Sequence, residues 1–139
     1  MREIKFRAHD LCGRFVYGSL IKGFLKHNEE GHQDVIYFTD EEKITHKTAV
    51  VENTVGQYTG LKDAKGVEIY EGDVFDVCDE LDNGLYIEDV HENCVVFYSE
   101  EWAGFCYGNA EHEVYDRLSE LEGLEVIGNI YDNPELLSK

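Results

Sequence analysis

A chain of 139 residues and 16.0 kDa, 42% hydrophobic, can bury one modest core as a single domain. Its 30 Asp/Glu against 12 Lys/Arg give a net charge of −18, and the excess is one-sided: residues 1–70 hold 10 bases and 11 acids, residues 71–139 hold 2 and 19. That balance argues against direct binding to a nucleic-acid backbone, which relies on Lys and Arg displacing counterions, and the longest apolar runs, such as Cys94–Tyr98, fall far short of the ~20 residues of a membrane-spanning helix.

The opening "MREIKFRAHD" is charged from its second residue, unlike a signal peptide, so a soluble protein of the cytoplasm is expected. Ile4, Phe6 and Ala8 alternate with Lys5 and Arg7, which is the period of a strand. "DLCG" then predicts a turn and "RFVYG" a returning strand. Residues 18–33 read either as strand and loop or as a short amphipathic helix broken at Gly23. "DVIYF" (34–38) reads as strand, "TDEEKITHK" (39–47) as a loop or edge segment, and "TAVVENTVGQYTG" (48–60), rich in β-branched residues, as strand.

The second half reads as a series of hairpins. "GDVFDVCD" leads to Asn83-Gly84, a strong hairpin signal because Asn-Gly accepts the positive φ of a tight turn. "LYIEDV" returns, "HEN" (91–93) turns again, and "CVVFYS" and "AGFCYGN" follow as strands. "VYDRLSELEG" (114–123) reads as a short helix with Gly123 at its C-terminal cap. "LEVIGNIY" reads as the last strand, and "DNPELL" places Asn133 as a cap and Pro134 at the first position of a helical turn. About nine strands and one or two short helices predict an all-β or β-dominated fold. Residues 1–139 form one domain in this reading, with sub-domains at 1–55 and 56–139.

The glycines of "QYTGLKDAKGVEIYEGDVF" (57–75) suggest at first a ligand loop. Gly56, Gly60, Gly66 and Gly72 match neither a P-loop nor a dinucleotide fingerprint. Asp63-Ala64-Lys65-Gly66 fits a type I turn with glycine in the left-handed position, and Glu71-Gly72-Asp73 fits a second turn before a strand. Turn chemistry is therefore the favoured reading over a ligand surface.

No other constellation identifies a reaction. Cys12, Cys78, Cys94 and Cys106 form no CxxC and read as reduced, mostly buried thiols. The acids Asp73, Asp76, Asp79, Glu80 and Asp82 do not fit a calcium loop, since Leu81 and Val90 fall where carboxylates are required. They read as a solvated edge and loop. His27 and His32 with Glu29, Glu30 and Asp34 would make a loop metal site, but no HExxH spacing accompanies them. The aromatic residues Tyr86, Phe97, Tyr98, Trp102, Phe105 and Tyr107 lie in the acidic half, where a stacking groove for bases would lack its cations, so they read as packing residues.

Three blocks carry a family resemblance: "MREIKFRAHD", "QYTGLKDAKGVEIYEGDVF" and "EVIGNIYDNPELL", 42 positions in order along the chain. In these the chain resembles the YopX family of phage and prophage proteins, with His9 where that family usually has Trp. The resemblance implies a small β-rich protein with an SH3-like barrel at its centre. It implies no activity.

The functional expectation is a non-enzymatic protein–protein interaction module, without cofactor or metal. Its expected partners are other copies of itself and a host or phage protein. Tyr58, Tyr70, Glu88, Asp89, Glu100, Glu101 and Trp102 are the candidate interaction surface. The alternatives are an acidic nucleic-acid mimic that occupies a DNA-binding protein, and a divalent-metal-dependent enzyme.

Overall fold

A computed structural model describes residues 3–26, 32–80, 87–121 and 123–137; the side chains of 24–26, 32–33, 77–80 and 87–91 are not described. The described residues are dominated by strands, and they divide into two compact units, Met1–Gly60 and Leu61–Lys139.

Unit 1 contains β1 (Phe6–His9), β2 (Phe15–Lys26), β3 (His32–Thr39), β4 (Thr45–Ala49) and most of β5 (Gly56–Lys62). They form an antiparallel sheet in the order β4-β3-β2-β1-β5. The alternation read in the opening block is realised in part. Ala8 is fully buried and Phe6 packs beside it, but Ile4 lies before β1 at 62% exposure. Arg7, expected on the outer face, is buried with its guanidinium 4.4 Å from the Phe15 ring. The ambiguous segment after residue 18 is strand, carried through Gly23 at φ 63° by a register shift between Ile21 and Leu25. The core is small. Ala8, Ile36 and Val50 are buried, and Phe6, Val16, Leu20 and Val55 pack against them.

The single strand expected over 48–60 is interrupted by a 3-10 turn at Glu52–Thr54. Thr54 explains the interruption. Its hydroxyl donates to the Val51 carbonyl at 2.6 Å and accepts from the His9 amide at 2.9 Å, so it closes a local turn and ties that turn to β1.

Beyond the boundary, β5 turns into β6 (Glu68–Tyr70), which extends the first sheet to six strands. A second antiparallel sheet follows, built from β7 (Asp73–Glu80), β8 (Ile87–Ser99), β9 (Gly104–Gly108), β10 (Val114–Arg117) and β11 (Val126–Asn129) in the order β10-β9-β8-β7-β11. Its core joins Ile69, Phe75, Cys94, Val96, Tyr107 and Leu118, with Phe105, Leu121, Leu124 and Val126 around them. Neither sheet closes on itself among the described residues. Among the described residues, eleven strands and three 3-10 turns stand where about nine strands and one or two helices were expected.

Two expectations in unit 2 are corrected. Residues 114–123 are not a helix: Val114–Arg117 pairs with β9, and only Leu118–Glu120 makes a 3-10 turn. Leu118 is 1% exposed, so one leucine dropped into the core from an edge strand satisfies the apolar pattern that suggested a helix. Gly123 does adopt a positive φ of 76° and ends the segment.

"HEN" is not a turn either, because β8 runs unbroken from Ile87 to Ser99. The register shifts there from Val77↔His91 to Phe75↔Cys94, a bulge in which Asn93 takes φ 53°. The Asp76 carboxylate accepts the displaced Asn93 amide at 2.7 Å. The Asn83-Gly84 hairpin lies outside the described residues.

One turn design recurs four times. In Asp10, Asp40, Asp63 and Asn109 a side-chain Oδ1 accepts the backbone amides two and four residues on, at 2.8–3.0 Å. The residue three positions on has a positive φ: Gly13 at 83°, Lys43 at 65°, Gly66 at 83° and His112 at 62°. Each closes a hairpin, joining β1–β2, β3–β4, β5–β6 and β9–β10.

Candidate functional site

The patterned block 57–75 is a structural junction. Asp63 occupies its centre. Its Oδ1 accepts the Lys65 and Val67 amides, both at 2.9 Å, and its Oδ2 accepts the Val126 amide at 3.1 Å. Burial pushes the Asp63 carboxyl up, but the three amides of Val67, Val126 and Lys65, with the Lys65 charge, outweigh it and hold the group below the ordinary aspartate range. The Ala64 amide donates to the Leu124 carbonyl at 2.8 Å, and Lys65 pairs with Glu125 at 3.6 Å.

Gly72 does the same at the second turn. Its amide donates to Val96 at 2.8 Å, and its carbonyl accepts from Ile130 at 2.9 Å. At φ 91° and with the Tyr131 ring 3.0 Å from where a Cβ would sit, the position suits only glycine. Asp73, read as solvated, is 2% exposed and accepts the Tyr70 amide at 2.8 Å. β7 and β11 then pair through Asp73↔Asn129, Val74↔Gly128 and Phe75↔Val126. The central and closing blocks that carry the family resemblance thus meet edge to edge as neighbouring strands of one sheet. Their glycines and Asp63 serve backbone pairing, and the turn reading holds at both places.

The candidate surface residues separate. Tyr58 and Tyr70 are interior, at 6% and 2% exposure. The Lys5 ammonium lies 5.2 Å from the Tyr58 ring, and the Tyr70 hydroxyl donates to Glu68 at 3.4 Å. Glu88 and Asp89 lie on β8, where Asp89 is opposite Asp79 in register. Glu100 and Glu101 are exposed at the β8–β9 turn, and Trp102 is half-buried beside them. Arg117 covers Trp102, with its guanidinium 5.2 Å from the ring and donating to the Trp102 carbonyl at 2.9 Å. Among the candidates whose side chains are described, Glu100 and Glu101 are exposed, on a turn braced by an Arg–Trp stack. Tyr98 stands nearby in sequence, 49% exposed and edge-on to Phe105.

Cys94 and Cys106 are buried and Cys12 is exposed, and burial pushes the Cys106 thiol up. Of the histidine-rich loop, His27, Glu29 and Glu30 lie outside the described residues, while Asp34 turns inward to accept the Gly23 amide at 2.8 Å. Among the described residues no three His, Cys, Asp or Glu side chains come together as a metal site.

A feature that sequence reading missed is an open groove of about 830 Å³ on unit 1, lined by Phe6, Leu20, Lys22, Val51, Glu52, Asn53 and Val55. Phe6, Leu20 and Val55 are also the residues that flank the small core, so the groove is where that core is left incompletely covered. Val51 is 39% exposed at its edge. Its residues come from β1, β2 and the 3-10 turn, a juxtaposition no local pattern announces.

Charge partitions along the same boundary as the structure. Residues 1–60 hold 8 Lys/Arg and 9 Asp/Glu, net −1, and residues 61–139 hold 4 and 21, net −17. Between Gly66 and Ser138 the only base is Arg117.

Fold and surface together define a class: an antiparallel β protein of two units, one nearly neutral and grooved, the other strongly acidic. The chain belongs to the YopX family, whose model, described as YopX protein, matches residues 5–138. Among solved structures it is similar to protein EF1440 from Enterococcus faecalis, at 22% identity and a TM-score of 0.53, with 99% of each chain covered. No curated protein matches it. No helix among the described residues is long and apolar enough to cross a membrane.

Proposed function

We propose that this protein is a non-enzymatic interaction module that assembles with copies of itself through unit 1 and presents unit 2 to a host or phage protein. One observation carries the reading: the charge boundary and the structural boundary coincide, −1 on one side and −17 on the other. Like charges resist close approach, so contact between copies is least costly through the near-neutral unit, and the acidic unit is left facing outward. Light scattering at low and high salt tests it. Assembly in both conditions is expected, and a monomer at micromolar concentration in both would sink the self-association.

A second reading concerns what the outward unit binds. With 20 Asp/Glu and one Lys/Arg between Gly66 and Ser138, unit 2 has the charge density to imitate a nucleic acid and occupy a basic DNA-binding protein. Capture of such a protein should weaken with salt and with charge reversal at Glu100 and Glu101. Capture indifferent to both would remove the mimic.

The reading of residues 56–139 as an SH3-like barrel core is supported by the bulged strands of the second sheet, with register shifts between β7 and β8, β9 and β10, and β7 and β11. Bulges of this kind bend strands toward closure.

A further inference from the structure

The unit 1 groove has one wall unlike the rest. Phe6 and Leu20 reach it from β1 and β2, whereas Val51, Glu52, Asn53 and Val55 line it from the segment around the 3-10 turn. Apolar side chains hold that segment at its two ends: Val50 is buried, and Val55 packs against the core. Between the ends the anchoring is polar. Val51, Glu52 and Asn53 are exposed, and Thr54 is the buried residue of the turn.

Among the described residues, two hydrogen bonds tie this stretch to β1, and both go to His9. The Val51 amide donates to the His9 carbonyl at 2.9 Å, and the His9 amide donates to the Thr54 hydroxyl at 2.9 Å. The same hydroxyl donates to the Val51 carbonyl at 2.6 Å, so one side chain both closes the turn and fastens it. The bonds inside the turn, from the Thr54 amide to Val51 at 3.0 Å and from the Val55 amide to Glu52 at 3.2 Å, belong to a 3-10 geometry that is poor on its own. The run around it, "TAVVENTVG" (48–56), is rich in β-branched residues and favours extended chain. Turn and local preference are therefore opposed, and the Thr54 hydroxyl decides between them.

We infer that residues 51–54 are a strap along one side of the groove that releases as a unit, with Thr54 as its latch. Fastened, the turn walls the groove. Released, the segment runs extended between Val50 and Val55, and the groove is wider. Local openings of this kind occur where buried apolar contacts are few, which is the state of this stretch between its two valines. The strap acts within one protomer, so it operates whether or not the chain self-associates.

Amide hydrogen exchange on the full chain tests the latch, with anilinonaphthalenesulfonate as a probe of accessible apolar surface. In the unaltered chain at low urea, the Val51, Thr54 and Val55 amides should exchange together, ahead of those in β2 and β3 and with a shallower dependence on urea. Thr54→Val removes the hydroxyl at nearly constant volume and leaves the His9 amide without its acceptor. The Val51 and Val55 amides, neither of which bonds to that hydroxyl, should then exchange at least about tenfold faster. Exchange in β2 and β3 should be unchanged, and dye fluorescence should rise. Thr54→Ser keeps the hydroxyl and should behave as the unaltered chain does.

Acceleration that spreads into β2 and β3, or a Thr54→Val chain that does not fold, overturns the latch, since Thr54 would then hold the whole unit. Unchanged exchange at Val51 and Val55 overturns it as well. Faster exchange without a rise in dye fluorescence overturns the link between the strap and the groove. In the unaltered chain, a urea dependence at Val51 and Val55 as steep as that of β2 would show that the strap does not release by itself.

Discussion

The two units solve the same folding problem with different resources. Unit 1 has balanced charge, and among the described residues its core cluster joins Ala8, Ile36 and Val50, with Val35 and Tyr58 also buried. Unit 2 carries −17, and its core is built from larger side chains, Phe75, Tyr107, Ile69 and Leu118 among them. The more repulsive surface is thus paired with the more substantial interior. Self-repulsion disfavours a compact state, and burial of aromatic and aliphatic side chains, each worth roughly 1.5–3 kcal/mol, is the opposing force available. Beside the described core of unit 1 lies an open apolar groove. Exposed apolar side chains occur in both units, Leu11 and Ile44 in the first and Val67 and Ile127 in the second, so the contrast between the units lies in charge.

The largest effect expected from breaking this contrast is in the unit 2 core. Phe75 is fully buried and tilts against Tyr107 at 5.6 Å between ring centroids. Phe75→Ala should cost about 3–5 kcal/mol in urea denaturation. Hydrogen exchange should accelerate in β7, β8 and β9 before it does in β2 and β3. Equal acceleration in both regions would show that the two cores do not act separately.

Next comes the junction at Asp63. Asp63→Ala strands three amides, at least one of them in a pairing with a segment far along the chain, and should cost about 2–3 kcal/mol. The carboxyl lies below its ordinary value in the folded state, so its stabilisation is present above the ordinary aspartate range, near 3.8, and is lost as pH falls through the lower folded value. The acid limb of unfolding should flatten in Asp63→Asn relative to the unaltered chain. In unit 1 the same sign holds for Asp40, lowered chiefly by its hydrogen bond to His46 at 2.7 Å, and for Asp10, lowered chiefly by the Arg14 amide.

The shared turn design offers a finer comparison. Lys43 and His112 occupy the left-handed position that Gly13 and Gly66 fill elsewhere. A left-handed residue with a Cβ costs about 1–2 kcal/mol, part of which glycine returns to the unfolded chain as entropy. Lys43→Gly in unit 1 should therefore stabilise by about 0.5–1 kcal/mol. His112 stacks on Phe97 with ring centroids 4.4 Å apart and planes at 5°. Loss of such a contact, worth about 0.5–1.5 kcal/mol, should cancel the gain from His112→Gly in thermal melts. A clear stabilisation there would mean that the ring pair contributes nothing.

The smallest effect separates the surfaces. Raising salt from about 0.01 M to about 1 M shortens the Debye length from about 30 Å to about 3 Å. Amide exchange should slow in unit 2 and stay nearly unchanged in unit 1.

How much of this was legible beforehand depended on range. The Asp63–Gly66 and Glu71–Asp73 turns were readable because their chemistry is local: a carboxylate two and four residues from its donors, and a glycine where φ must be positive. The helix expected at 114–123 failed for the opposite reason. Its two leucines fit a helical spacing, but pairing of Val114–Arg117 with β9 outweighed that weak local preference. Tyr58 and Tyr70 lie in a segment full of charge and glycine, and nothing in that setting showed that both rings are interior. The Phe6–Leu20–Val55 groove had no sequence signal, since its lining comes from segments that only folding brings together.

Composition and periodicity alone determined the strand-dominated class, the turns at Asp63–Gly66 and Glu71–Asp73 and the abrupt change of charge, because alternation, glycine φ and ionised side chains are properties of residues and their immediate neighbours. Only the tertiary structure decided that Asp63 would hold the Val126 amide across 63 positions, that the central and closing blocks would become adjacent strands, and that the charge step would fall at a structural boundary. A strand's pattern states which side chains face inward. It does not name the strand that will satisfy its edge, and that choice is made by the whole set of backbone donors and acceptors competing for partners at once.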